Sequence, residues 1–279
     1  MNLGNTCYFN AALQCLMHVP MLCNYFLKSE APEAGEGPFT AEFRKLARKY
    51  WTLDLPGPVN PAKLFLYLTE RHAQFRGHYQ QDSHEVRNFV AHRRRAFHDC
   101  ETQALACILD SIDQTLVRHI FSVKVTQETL CPTGRSELRE ESVGLLTYPS
   151  ENCTVSDALK EHFEYATLTD YEDCHGRKHK ASVTRLVVTK VPPVLFLAFS
   201  GRKIIELEEV ITVSHVRLGL ISAVCHLGNE LGGHYVAFTK HLGEWHYKDD
   251  EVSTSKVAPP SRAFWYIAMY KTLPTGCPP

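Results

Sequence analysis

Three residues far apart along the chain have the types that nucleophilic acyl transfer requires: Cys7, His234 and Asp249. A thiol attacks a carbonyl carbon as its thiolate, so it needs a base to take the proton. An imidazole base in turn needs an acceptor at its second nitrogen to hold the useful tautomer. The run Asn2-Leu3-Gly4-Asn5-Thr6-Cys7-Tyr8-Phe9-Asn10-Ala11-Ala12-Leu13-Gln14-Cys15-Leu16 passes from turn-prone residues to an apolar helical pattern that Pro20 is expected to end. Cys7 therefore sits at a helix N-terminus, where unpaired N–H groups and the positive end of the dipole predict a stabilised thiolate. Most of the other nine cysteines read as small buried hydrophobes.

The base and its orienter come from one predicted hairpin. Gly232-Gly233-His234-Tyr235-Val236-Ala237-Phe238-Thr239 reads as a strand, Lys240-His241-Leu242-Gly243 as a four-residue turn, and Trp245-His246-Tyr247-Lys248-Asp249-Asp250 as the returning strand. With Thr239 facing Glu244, His234 lies directly opposite Asp249 on one face of the ribbon. A one-residue slip would separate them. Asp250 follows immediately, the second of two adjacent acids at a strand end, where it reads as a solvated charge.

The elements that must hold these residues change character along the chain. Residues 1 to about 116 read as helical, with breaks at the Pro- and Gly-rich stretches 31–38 and 55–58. Phe39, Phe43, Leu46, Ala47 and Tyr50 recur at helical spacing. Asn60-Pro61 reads as a cap with proline in the first helical position, ahead of Leu64, Phe65 and Leu68. A further helix is expected from Asp82, with Val86, Phe89 and Val90 on its apolar side, and another over 107–116. Strands are then predicted at 120–126, 183–191, 194–199 and 218–225, interrupted by one helix over 155–163 capped by Thr154 or Ser156. The continuous apolar run 194–199 suits the centre of a sheet buried on both faces.

Composition narrows the class. The chain has 279 residues, is 44% hydrophobic and carries a net charge of −1. It is long enough for a sizeable core and shows no polyanion preference. Arg93-Arg94-Arg95 reads as a solvated helix face, because no aromatic platform or wider basic patch accompanies it. No nucleic acid is expected as a partner, and no membrane, since the longest apolar run falls far short of the roughly 20 residues of a spanning helix. Ten scattered cysteines without a disulfide framework, and no signal segment, point to a reducing compartment, cytoplasm or nucleus. A monomer is expected.

The three motifs together resemble a known family. The N-terminal run resembles the cysteine box of the ubiquitin-specific proteases, and GGHYVAF with WHYKDDEV resembles their histidine box. Gln80-Gln81-Asp82-Ser83-His84-Glu85 is similar to the signature between the two, and Trp265-Tyr266-Ile267-Ala268-Met269-Tyr270 is similar to the closing strand. The resemblance implies an α+β, papain-like cysteine protease fold with a helical thumb, a sheet-rich palm and a β-stranded fingers projection. It implies one catalytic domain over 1–279, with a thumb-like half at 1–116 and the palm and fingers at 117–279. It further implies a thiol-dependent deubiquitinase acting on ubiquitin and ubiquitinated proteins, with Cys7 as nucleophile, His234 as base and Asp249 as orienter. Asn2 matches the oxyanion donor and Asp250 a supporting acid. Asp82 matches a contact to the basic ubiquitin tail, backed by Glu85, while Gly232, Gly233 and Tyr235 wall the narrow end of the channel.

The family's structural zinc is expected to be missing, and no cofactor is expected. Of its two cysteine pairs only Cys131 and Cys174 remain, and a closed site needs four ligands, which His175 and His179 are poorly placed to complete. Two other functions fit parts of the pattern. One is a catalytically weak or silent ubiquitin-binding module, suggested by the incomplete metal positions and the single residue before Asn2. The other is a protease for a different ubiquitin-like protein.

Overall fold

The structure, a computed structural model, describes residues 6–28, 36–52, 59–72, 75, 100–132, 134–172, 176–229 and 232–274. Helices come first: α1 (Cys7–Met17), α2 (Pro20–Lys28), α3 (Pro38–Thr52), α4 (Ala62–Arg71), α5 (Cys100–Ser111) and α6 (Gln114–Phe121). Then follow β1 (Ser122–Cys131), β2 (Gly134–Val143), β3 (Leu145–Thr147), β4 (Cys153–Thr154), the helix α7 (Val155–Phe163), β5 (Ala166–Glu172) and β6 (Lys178–Lys190). The chain continues through β7 (Val194–Phe199), β8 (Ile204–Glu206), β9 (Val210–Val213), β10 (Val216–Asn229), β11 (Gly232–His241), β12 (Glu244–Asp249), β13 (Val252–Ser255) and β14 (Arg262–Thr272).

Local chemistry accounts for several of these boundaries. α1 stops at Met17, and Pro20 opens α2, where its missing N–H costs nothing. Pro61 precedes α4 rather than occupying its first turn, and the Asn60 side chain accepts from Ala62 N–H at 2.9 Å. The single helix expected over 107–116 is two. α5 ends at Ser111, and the Asp113 carboxylate caps α6 by accepting from Leu116 N–H. As a result Ile120 and Phe121, expected in a strand, close α6, and β1 begins at Ser122. Thr154 is the cap of α7, in a reciprocal box with Asp157. The expected helix at Asp82 lies outside the described residues.

The strands form two sheets. A four-stranded antiparallel sheet runs β2-β1-β6-β5, and a ten-stranded sheet is built on the path β13-β12-β11-β10-β14-β7-β3. The larger sheet is covered on both faces. Val194, Phe196, Ala198, Val224, Ala237, Ile267 and Met269 face the helices, with Phe9, Leu16, Phe43 and Ile108 in the same core. Leu195, Leu197, Phe199, Val236, Phe238, Trp265 and Tyr270 fill the other side with Val155 and Leu159 of α7. β7 alternates between these cores, every residue buried, as its continuous apolar run requires. α1 lies on the sheet beside β11, so two elements distant in sequence meet along their length.

Candidate active site

Cys7 is the first residue of α1, and Thr6, its N-cap, is buried. The thiol does not behave as the dipole argument predicts. Burial pushes the Cys7 pKa above its ordinary value, although the backbone N–H groups of Tyr235, Tyr8 and Cys7 itself pull the other way; the Asp250 charge adds to the rise. Desolvation therefore outweighs the helix terminus, and the resting group is a neutral thiol that needs a base.

The hairpin that carries the base differs from expectation in register. His241 faces Glu244 and Lys240 faces Trp245, so the turn is the two-residue Leu242-Gly243, both with positive φ (49° and 86°), not a four-residue loop. This moves the pairing by two positions. The ladder ends at Ala237 and Lys248, a register that carries Asp249 toward Val236 rather than His234, and because side chains alternate with period two, His234 and Asp249 keep the same face as diagonal neighbours. The contact survives: His234 Nε2 and Asp249 Oδ1 are 2.5 Å apart.

Asp250 approaches from the other side. Its φ of 47° turns the chain just past β12, bringing Oδ2 to 3.9 Å from His234 Nε2. Its Oδ1 accepts from Asn10 Nδ2 at 2.7 Å. Asn10 stands three residues after Cys7, one helical turn on, so this bond ties the cysteine helix to the histidine hairpin. On the opposite side Asp249 Oδ2 accepts from Tyr247 Oη at 3.0 Å. Burial, followed by the Asp249 contact, pushes the Tyr247 pKa up to about 12, so its hydroxyl stays a donor. Sequence reasoning missed both residues. Helical spacing from Cys7 and strand alternation from Asp249 were the signals that point to them.

Gly233 owes its identity to close packing. A Cβ there would lie 2.0 Å from Nε2 of the buried His226 and 2.7 Å from the Leu227 carbonyl oxygen, so any side chain would require the imidazole and the paired strand to shift. Gly232 pairs with Asn229 at the start of β11. The Tyr235 ring is held between His226 and Tyr266, at centroid distances of 4.7 and 5.7 Å. Asn2, Asp82, Glu85, Cys174 and His175 lie outside the described residues. Cys131 is a free, half-buried thiol at the end of β1, facing Gly134, and His179 is buried in β6 opposite Tyr171. Among the described residues the one group with three potential metal ligands within reach is His234, Asp249 and Asp250. Their facing atoms are already committed to one another, to Tyr247 and to Asn10.

A family model described as ubiquitin carboxyl-terminal hydrolase matches residues 1–270. The chain is 26% identical over 298 residues to ubiquitin carboxyl-terminal hydrolase 16 of Arabidopsis thaliana, covering 92% of this chain and 28% of that protein. It is 25% identical over 349 residues to ubiquitin carboxyl-terminal hydrolase 3 of Homo sapiens, covering 96% of this chain and 66% of the relative. In fold it is similar to a chain of the SAGA Ubp8/Sgf11/Sus1/Sgf73 DUB module, solved bound to ubiquitin aldehyde, with a TM-score of 0.77 at 17% identity, covering 98% of this chain and 69% of that one. The likeness establishes the α+β, papain-like architecture that the motifs implied.

Proposed function

The chain belongs to the ubiquitin carboxyl-terminal hydrolase family, and from that premise we propose that it is a thiol-dependent deubiquitinase, cleaving the bond after the C-terminal glycine of ubiquitin. The observation that carries the proposal is the contact between His234 and Asp249, on the strand whose next N–H, that of Tyr235, reaches Cys7. Asp249 engages Nε2 and leaves Nδ1 to take the proton of Cys7. The thiolate attacks the glycine carbonyl, the imidazolium protonates the leaving amine, and water activated by His234 releases the thioester. A thiol held neutral by burial suits this order of events, because the charge is created only when the base is engaged. Tyr247 fixes the second oxygen of Asp249, and Asn10 fixes Asp250 close enough to support the imidazolium.

The remaining roles follow from the family motifs. Asn2 donates to the oxyanion, a contribution of about 3 kcal/mol where a single such donor has been removed. Asp82 meets the basic tail of ubiquitin, while Gly232, Gly233 and Tyr235 line the narrow approach that a diglycine end requires. The whole of 1–279 acts as one catalytic domain, as a monomer, in cytoplasm or nucleus, with ubiquitin and ubiquitinated proteins as partners and without nucleic acid, membrane or resident metal. Reporters carrying ubiquitin or a ubiquitin-like protein ahead of a fluorogenic amine test this directly, with Cys7→Ala as control. Rapid release from the ubiquitin reporter alone is expected. Release from a ubiquitin-like reporter alone would reassign the substrate, and binding without release would leave a silent module.

A further inference from the structure

Beside the triad, on the flank of α1 that faces α3, lies a cleft of about 640 Å³; Asn10 and Asp250 on its edge serve the triad, but its histidines, Lys248 and aromatic rings have no part in the hydrolytic reaction. One wall is the ribbon of β11 and β12. There His241, His246 and Lys248 share a face, since His246 is opposite Thr239 and side chains repeat every second residue. The other wall is aromatic: the Trp51 ring lies 4.8 Å from His241, and Tyr50 lies under Lys248 Nζ at 5.8 Å. His18 closes the floor, 5.7 Å from the Tyr50 ring and 5.2 Å from Trp51, with Nδ1 donating to the Gln14 carbonyl at 2.7 Å.

The charges in this cleft are not balanced. Lys248 Nζ donates to Ser253 Oγ at 2.7 Å, and among the described residues no carboxylate lies within ion-pair distance of Lys248, His241 or His246. Burial holds the Lys248 pKa below its ordinary value, the direction expected of an ammonium losing water without gaining a counterion. The acids of the cleft sit elsewhere. Of the residues lining it, the acids are Asp250, bound by Asn10, and Glu251, both toward the catalytic end; Glu244, opposite His241 at the hairpin turn, is not part of the lining and approaches Lys256 at 4.0 Å. The lining thus carries a basic and aromatic stretch at His241, His246 and Lys248 beside the acids Asp250 and Glu251, so a ligand with one anionic end is favoured along the first and turned away from the second.

We propose that this cleft binds a small aromatic anion, a phosphomonoester or carboxylate on a flat body, with its head between Lys248, His246 and His241 and its ring against Tyr50 and Trp51. The size fits a ligand of a few tens of heavy atoms at most, and a cation flanked by two imidazoles, with aromatic faces alongside, matches a charged head on a planar body.

Calorimetric titration of the protein with phenyl phosphate, benzoate, inorganic phosphate and phenol tests the site without reference to hydrolysis. Phenyl phosphate or benzoate is expected to bind one to one, and whichever binds tighter identifies the head group. Phenol and inorganic phosphate should each bind at least tenfold more weakly, since each supplies half of the match. Lys248→Gln and His241→Gln should each weaken the aryl anion about tenfold, the scale of one charge-assisted hydrogen bond, and Lys248→Arg should restore most of the loss. A thermal melt of each variant shows that it is folded, and His241, being exposed, gives a reading even where Lys248→Gln is unstable. Equal affinity for inorganic phosphate and phenyl phosphate would overturn the proposal. So would affinity unchanged in both variants, or binding abolished by alkylating Cys7.

Discussion

The two sheets differ most where each meets solvent. In the ten-stranded sheet, β11 buries Ala237 against the helices and Val236 and Phe238 against the opposite core, so its side chains are fixed from both faces. In the four-stranded sheet, β2 leaves almost all of its ten residues exposed, and β1 buries Ser122, Val123, Val125 and Thr126 toward the base but only Thr129 further out, with Leu130 exposed near its tip. That projection is held by its ladders and by polar pairs, such as Thr129 with Thr184 and Glu128 with two arginines. A triad needs atoms placed to a few tenths of an ångström, which packing on two faces supplies. The four-stranded sheet carries none of the triad residues, and its outer strand β2 is left largely to solvent.

The largest effect expected is at the packed end. Cys7→Ala should abolish both turnover and labelling by a ubiquitin probe with a C-terminal electrophile; labelling at Cys15 or Cys225, which are buried, would mean that the site has been misplaced. Next come the two acids. Asp249, at 2.5 Å from His234, should cost roughly 10²- to 10⁴-fold in kcat when changed to Ala. Asp250→Ala, which removes a group at 3.9 Å, should cost about tenfold, a smaller effect typical of a supporting charge. Steady-state kinetics on both variants decides this, and a reversed order would show that the acid tied to Asn10 is the true orienter.

The hairpin also shows what the sequence could and could not specify. Alternation put His234 and Asp249 on one face, and that parity held. The loop length did not, because the sequence offers Lys240-His241-Leu242-Gly243 as a four-residue turn, whereas in the fold Lys240 lies opposite Trp245, 5.2 Å from its ring, and Leu242-Gly243 alone turn the chain with positive φ. Helices with plain apolar stripes, such as Phe39, Phe43 and Ala47 in α3, were legible. The break between α5 and α6 was not, since it depends on one capping aspartate inside an otherwise continuous apolar pattern. The Cys7 environment was misread for a deeper reason. A helix terminus is visible in sequence, whereas burial is a property of the whole fold, and burial decides the thiol's pKa.

Gly144 joins the two sheets, between the end of β2 and the start of β3, and tests the comparison at its hinge. Its φ is 74°, and an added Cβ would lie 2.4 Å from the Phe196 ring and 2.6 Å from the Phe196 carbonyl oxygen. Gly144→Ala should therefore destabilise the protein by roughly 3 kcal/mol, combining left-handed strain with overpacking; denaturant unfolding measures it. A smaller, conditional effect belongs to His18, whose burial lowers its pKa from 6.5 to about 3. Above pH 6.5 both folded and unfolded forms hold it neutral, so it does not alter the pH dependence. Below that the unfolded chain binds the proton first, and stability falls by about 1.4 kcal/mol per pH unit until pH approaches 3. At pH 5.5, His18→Gln should lack that loss, and equal slopes in the two proteins would place His18 in contact with water.

The smallest effect is expected in the exposed sheet, at Glu128. Its carboxylate accepts from Arg185 Nε at 2.7 Å and from Arg135 Nη2 at 2.5 Å, and Arg185 in turn lies 4.9 Å from the Tyr165 ring. The Arg185 hydrogen bond, with the two guanidinium charges, holds the Glu128 pKa below its ordinary value despite some desolvation. A carboxylate lowered in this way stabilises the fold above its unfolded pKa and loses that contribution as pH falls through its folded pKa. The cluster faces water, however, where charge pairs are weak and salt screens them. Glu128→Gln should shift the melting temperature far less than Gly144→Ala. The shift should shrink further in about 1 M salt, where the screening length drops to about 3 Å. A large loss that salt does not reduce would mean that this projection is held as firmly as the sheet bearing His234, and the contrast between the two would fail.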